Sequence, residues 1–152
     1  MPHATVTQVR DHTNETRRLA TLLEISQALS GVLNLKAALH SVLDILERRH
    51  QVAGGAVMLV ERDSRETHLE AAGGVKLPGT RGRSRSEGSG VTERVLDSAK
   101  AVVVPRVSQE PNLAPPPTER ARSEQRELSF IAVPIILGRR PTGTMEVVLP
   151  FK

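Results

Sequence analysis

Arginine is the residue type in this chain best placed for chemistry. Arg81, Arg83 and Arg85 alternate within "TRGRSRSE", Arg120, Arg122 and Arg126 recur in a second polar stretch, and Arg139 and Arg140 sit side by side in a third. A guanidinium fork matches a carboxylate bidentately, so an alternating triplet in a loop suits a small dicarboxylate. The simpler reading of the triplet is three solvated charges in a loop, and spacing alone does not exclude either. Arg106 follows an apolar run stopped by Pro105, which would place it at the edge of a sheet, either facing a ligand or pairing with a surface carboxylate.

The other reactive types do not assemble into a catalyst. His3, His12, His40, His50 and His68 lack metal-ligand spacing, so no metal site is expected. With no cysteine in the sequence, disulfides, thiolate metal sites and thiol nucleophiles are excluded. Glu87 with Glu93, or Glu127 with Glu146, could form a general acid/base pair. No nucleophile or oxyanion device accompanies either pair, so these carboxylates are read as structural or solvated. Gly88-Ser89-Gly90 before a helix could cradle an anion. It lacks the Lys-Ser/Thr ending of a P-loop, and nucleotide hydrolysis is not indicated. The expectation is a chain with no catalytic residues and no cofactor.

Elements must position whatever these residues bind. The 152 residues make one domain, and with no Trp or Tyr and only two Phe its core must be aliphatic. The net charge of +4 comes mostly from arginines in loops. No aromatic platform, RNA-binding signature or recognition helix accompanies them, so no direct nucleic-acid contact is expected. The apolar runs are too short to span a bilayer and the N-terminus lacks a signal-peptide core, which points to a cytoplasmic protein without membrane contact.

Residues 1–14 are polar and aperiodic, a flexible tail or a frayed helix start taken as far as residue 17. From about Glu15, Leu19, Leu22, Leu23, Leu29 and Leu33 form a helical stripe widened by Ile25, Ala28 and Val32. A second helix follows at once, with Leu35, Ala38, Leu39, Val42, Leu43 and Leu46 at helical spacing. Asn34 is placed to cap it, and Arg48 and Arg49 suit its negative end. "AVMLV" (56–60) reads as a strand buried on both faces, and "THLEA" (67–71) alternates Thr67, Leu69 and Ala71 against His68 and Glu70 as its hairpin partner. A short helix (91–100) and a short strand (101–105) follow. "ELSFIAVPIILGRRPTGTMEVVLP" (127–150) closes the chain as a second hairpin. Residues 73–90 and 106–127 are two long loops, and loops of that length in a compact domain usually bind something. The order implies an α+β fold, with an antiparallel sheet, helices packed on one face, and the long loops plus the short helix over the other. A pocket belongs between that lid and the sheet.

The segments "LLEISQALSGVLNLKAALHSVLDIL" (22–46), "GAVMLVERDSRETHLEAA" (55–72), "GSGVTERVLDSAKAVVVPRVSQEPN" (88–112) and "LSFIAVPIILGRRPTGTMEVV" (128–148) resemble a GAF domain, a small-ligand sensor module. The similarity runs from about Arg18 to Leu149, giving a sensor domain over 18–152. "VVVPRVSQEP" and "ELSFIAVPIILG" are most similar to the amino-terminal GAF domains of NifA-type activators of nitrogen-fixation genes. Ser89 and Glu93 depart from the "G-E-G-V-x-G-x-V" pattern common in the family. The cyclic-nucleotide signature is absent, and there is no cysteine to attach a bilin or to run methionine-sulfoxide reduction.

What the resemblance implies is a regulatory sensor in a sigma-54-dependent activator. Its candidate partners are 2-oxoglutarate or a similar anionic metabolite, a PII-type protein or NifL, and its own downstream AAA+ ATPase domain, with a DNA-binding part beyond. In relatives the ligand sits on the sheet face opposite the helices. Candidate ligand contacts are Arg81, Arg83, Arg85, Arg106, Ser108, Ser129 and Thr144. The 128–149 hairpin offers two alternating sets, and a one-residue slip exchanges them. Leu22, Ile25, Leu29 and Val32 are candidates for a homodimer interface, since one stripe of the first helix suffices for the monomer. A ligand-free interaction module is the second reading.

Overall fold

The computed structural model describes residues 3–31, 33–75, 77, 90–111, 113 and 127–152. Helix α1 spans His3–Ser30 and α2 spans Leu35–His50. The polar segment before Glu15 is thus helical from His3 onward. Four of α1's hydroxyls, on Thr13, Thr16, Thr21 and Ser30, donate back to the carbonyl four residues earlier, which satisfies them inside the helix. No glycine or proline interrupts α1, and Gly31 follows its end. Asn34 caps α2 as its sequence position implies, its Oδ1 accepting from Ala37 N at 3.3 Å.

The two helices form a layer two deep. Arg48 and Arg49 not only suit the dipole of α2 but also clamp Glu24 of α1, at 2.8 and 2.5 Å. Thr21 of α1 meets His50 Nε2 at 2.8 Å. Because the Thr21 hydroxyl already donates to Arg17 O, it accepts here from the imidazole N–H. It is α2 that packs on the sheet, against β1 (Gly54–Val60) and β2 (Thr67–Gly74), while α1 lies along α2.

Beyond these strands come α3 (Gly90–Ser98), β3 (Val102–Val104), β4 (Leu128–Leu137) and β5 (Arg140–Pro150). The sheet order is β2-β1-β5-β4-β3 with every neighbouring pair antiparallel. The fold is α+β and GAF-like, with α1 and α2 on one side of the sheet and α3 on the other. Gly138 turns the β4–β5 hairpin with φ of +68°, a left-handed conformation that glycine adopts without strain. Gly55 allows α2 to settle close, since a Cβ there would lie 2.8 Å from Leu43 Cδ2.

The alternation expected in β2 fails at one point. Val57 pairs with Ala71 but Met58 pairs with Leu69, so Glu70 bulges out of the ladder. The bulge moves Leu69 to the opposite face from Ala71, and Leu69 is exposed.

Two cores result. Leu39 and Leu43 of α2 pack on Val57 and Ala71, with Ile135 and Met145 against them. On the other face, Val91 and Val95 of α3 pack on Ala56, Phe130, Ala132 and Val148, and Leu77 and Leu113 join this second core. The register settles the hairpin. Phe130 pairs with Val148, Ala132 with Glu146 and Pro134 with Thr144, so this set lies under α3. Ser129, Ile131 and Val133 belong to the α2 side.

Candidate functional site

Beneath α3 a polar cluster interrupts an otherwise apolar core. Thr92, in the first turn of α3, is buried, as are Thr144 and Glu146 on the central strand β5. Thr92 Oγ1 donates to Glu146 Oε1, and Thr144 Oγ1 donates to the same oxygen at 3.3 Å. Glu146 is only 3% exposed, and it is the one ionisable side chain among the buried described residues. Burial pushes its carboxyl above the usual carboxylate range, and the Thr92 and Thr144 hydroxyls only partly oppose this by favouring the charged form. Glu146 faces small neighbours on both sides: Ala56 on β1 and Ala132 on β4 are its cross-strand partners.

A second polar cluster lies where β3, β4 and β5 end together. The turn Val107–Gln109 is held by Glu127, which accepts from Ser108 N at 3.1 Å and from Ser108 Oγ at 2.6 Å. Those bonds, with the nearby Arg106 charge a smaller contributor, lower the Glu127 pKa. The Arg106 guanidinium lies 4.6 Å from the centre of the Phe151 ring, and Phe151 N donates to Glu127 O. Ser129 Oγ donates to Pro105 O at 2.8 Å. Lys152 Nζ reaches Gln51 Oε1, tying this end of the chain to the end of α2.

The residues expected to touch a ligand therefore separate. Arg106, Ser108 and Ser129 gather at the strand ends, each already engaged with Phe151, Glu127 or Pro105. Thr144 lies on the α3 side in the middle of β5. Seven residues of strand at about 3.3 Å each put roughly 23 Å between it and Phe151. Arg81, Arg83 and Arg85 lie outside the described residues. Of the expected dimer contacts, Leu22 and Leu29 are exposed at 62% and 46%, Ile25 is half-buried, and Val32 lies outside the described residues. Glu127 and Glu146 sit in different clusters and form no acid/base pair.

A family model described as a GAF domain matches residues 32–151. The chain belongs to the GAF domain family. Among curated relatives, this GAF domain is 33% identical over 130 residues to the nitrogen fixation protein VnfA of Azotobacter vinelandii, covering 84% of this chain and 25% of that protein. It is 28% identical over 129 residues to the Nif-specific regulatory protein of Herbaspirillum seropedicae, covering 85% of this chain and 24% of that one. The chain thus spans about a quarter of the length of these relatives. Among solved structures, the GAF domain of A. aeolicus nlh2 in an inactive state superposes with a TM-score of 0.71 at 19% identity, covering 91% of this chain and 82% of that one. The GAF domain of a phosphoenolpyruvate-protein phosphotransferase from Coxiella burnetii gives 0.71 at 20% identity, covering 91% and 80%. These two likenesses establish the fold. The curated relatives are a nitrogen fixation protein and a Nif-specific regulatory protein, and the chain is similar to them over most of its own length. Among the described residues no helix is long and apolar enough to cross a membrane.

In this GAF domain Thr92, Glu127, Glu146 and Phe151 carry the polar architecture, yet composition and spacing do not single them out. Glu146 is the exception in principle: it is the single interior carboxylate of the 127–150 stretch. A charge in such a strand must be paired, neutralised or used.

Proposed function

We propose that this chain is the sensory domain of a cytoplasmic, nif-specific, sigma-54-dependent transcriptional activator, binding a small anionic metabolite or a signalling protein and controlling a downstream AAA+ ATPase domain. Similarity to VnfA and to Nif-specific regulatory proteins supports the regulatory role. The observation that carries the sensory role is Glu146, a buried ionisable group on the sheet face under α3 with alanines as both cross-strand neighbours. A domain built only to pack would gain stability from an apolar residue there. 2-Oxoglutarate is the first metabolite to test, and a PII-type protein or NifL are the protein partners the family relationship favours. The output would run along β5 to Phe151 and Lys152, which contact both Arg106 and the end of α2. Arg81, Arg83 and Arg85 supply cations for an acidic ligand in this scheme.

Thermal unfolding with added metabolite tests the proposal. Saturating 2-oxoglutarate, or a related small carboxylate, at about a hundredfold above its dissociation constant should stabilise the domain by roughly 2.7 kcal/mol. An unchanged melting temperature with all such compounds would leave the interaction-module reading in its place. That second reading draws on α1, whose Leu19, Leu22 and Leu23 are each about 60% exposed and together with Leu29 offer an apolar surface to a second copy.

A further inference from the structure

Glu146 has two oxygens, and the chain uses only one. Both hydroxyl bonds, from Thr92 and from Thr144, end on Oε1. Among the described residues no bond ends on Oε2. Nor is any side-chain oxygen or nitrogen there both sealed from solvent and without a partner. Oε2 therefore keeps the small open surface that this otherwise buried residue retains. It is an acceptor with no described partner on the α3 side of the sheet, and it keeps slight contact with its surroundings outside the core.

Its surroundings favour one class of visitor. The row crossing the sheet through Glu146 runs Ala72, Ala56, Glu146, Ala132, Val102, so the carboxyl has only small side chains beside it. Among the described residues no cation approaches it: α3 carries Glu93, Arg94 and Asp97 on its exposed side, and β1 and β4 present only apolar residues to it. Burial raises its pKa, and the two hydroxyls donating to Oε1 only partly oppose this by favouring the ionised form. A ligand that brings an N–H or ammonium to Oε2 would complete the carboxylate with a charge-assisted hydrogen bond. A ligand that brings only oxygen acceptors would set lone pair against lone pair unless Glu146 is protonated.

We infer that Glu146 is the specificity-determining residue of this GAF domain, and that it selects a small ligand bearing an N–H donor, an ammonium or amide, over the equivalent oxo acid. This rests on the sensory reading above and narrows its ligand. The preferred metabolite would share a compact carboxylate skeleton with 2-oxoglutarate but present nitrogen where that compound presents a carbonyl.

The matched probes are 2-oxoglutarate, L-glutamate and L-glutamine, which share a five-carbon skeleton and differ in donors and acceptors. Calorimetric titration at neutral pH should show an amino compound binding at least about tenfold tighter than 2-oxoglutarate, a difference of about 1.4 kcal/mol. Lowering the pH should narrow that gap by neutralising Glu146. Glu146→Gln should abolish the preference while keeping the fold, with Glu146→Leu as a second variant should the amide perturb packing. A melting curve for each variant separates lost folding from lost selectivity. Equal binding of all three probes by the parent protein, or a preference that survives both substitutions, overturns this inference and leaves the sensory reading intact. Absence of binding by every probe overturns this inference, and a thermal shift with other carboxylates then decides the sensory reading separately.

Discussion

Thr92 in the first turn of α3 donates its hydroxyl to Glu146 in the middle of β5, joining two residues 54 positions apart in the sequence. Among the described residues this is the only hydrogen bond from an α3 side chain to the sheet, and it ends on their one buried ionisable group. The contact ties α3 to Glu146. It should therefore be visible both in stability and in its dependence on pH.

The pH dependence has a definite sign. Burial raises the folded-state pKa of Glu146 above its ordinary value of 4.5. Its contribution to stability is then fully present below that ordinary value and is lost as pH rises through the folded value. Melting temperatures of the parent and Glu146→Gln, measured across the acid-to-neutral range, should diverge progressively in the variant's favour as pH rises. Parallel curves would show that Glu146 titrates as an ordinary surface carboxylate.

Thr92→Val removes the donor while conserving shape and leaves a buried acceptor short of one bond. A loss of about 1–3 kcal/mol in unfolding free energy is expected. Thr92→Ser keeps the hydroxyl and should recover most of it. Chemical denaturation of the three proteins at one pH checks the pair, and a neutral Thr92→Val would show that the contact contributes nothing.

Glu127 behaves oppositely to Glu146. Its pKa is lowered by the two bonds from Ser108, so its contribution is present above 4.5 and fades as pH falls through the folded value. Glu127→Gln should therefore cost most near neutrality and little in acid. The companion substitution Arg106→Ala removes an exposed cation–π contact with Phe151 and should cost no more than about 1 kcal/mol. Proteolysis of the strand-end region would rise in Glu127→Gln before any global destabilisation appears.

Leu22 and Leu29 are exposed on α1. If a second copy covers them, replacing both with lysine should convert a dimer to a monomer in sedimentation analysis at micromolar concentration, with little change in monomer helicity. A parent protein that sediments as a monomer would remove this role for α1.

Much of this architecture was legible because period and punctuation agree. The α2 stripe from Leu35 to Leu46, the Asn34 cap and the Pro105 stop each have one physical reading, and the structure follows them. The β2 alternation was not legible, because a bulge at Glu70 depends on how β1 pairs and leaves no mark in the strand's own composition. The sheet face of Glu146 was not legible for a related reason: β5 sets Thr142, Thr144 and Glu146 against Met145 and Val147, and a one-residue slip in register exchanges the two sets. Thr92 and Glu146 meet only through tertiary packing, and no local spacing rule connects positions so far apart. Arg106 was correctly placed at the end of a strand, but the aromatic ring it covers arrives from the far end of the chain.

Hydrogen exchange along the backbone tests most directly whether the α3 side of the sheet is the sensory site. The domain is compared without ligand and with saturating L-glutamate, L-glutamine or 2-oxoglutarate. At least one of these should slow exchange in Gly90–Ser98 and in the middle of β5, around Thr144 and Glu146, while the exposed stretch 9–19 of α1 keeps its rate. Unchanged exchange in α3 and β5 with all three compounds, or protection confined to α1, would contradict a metabolite site beneath α3.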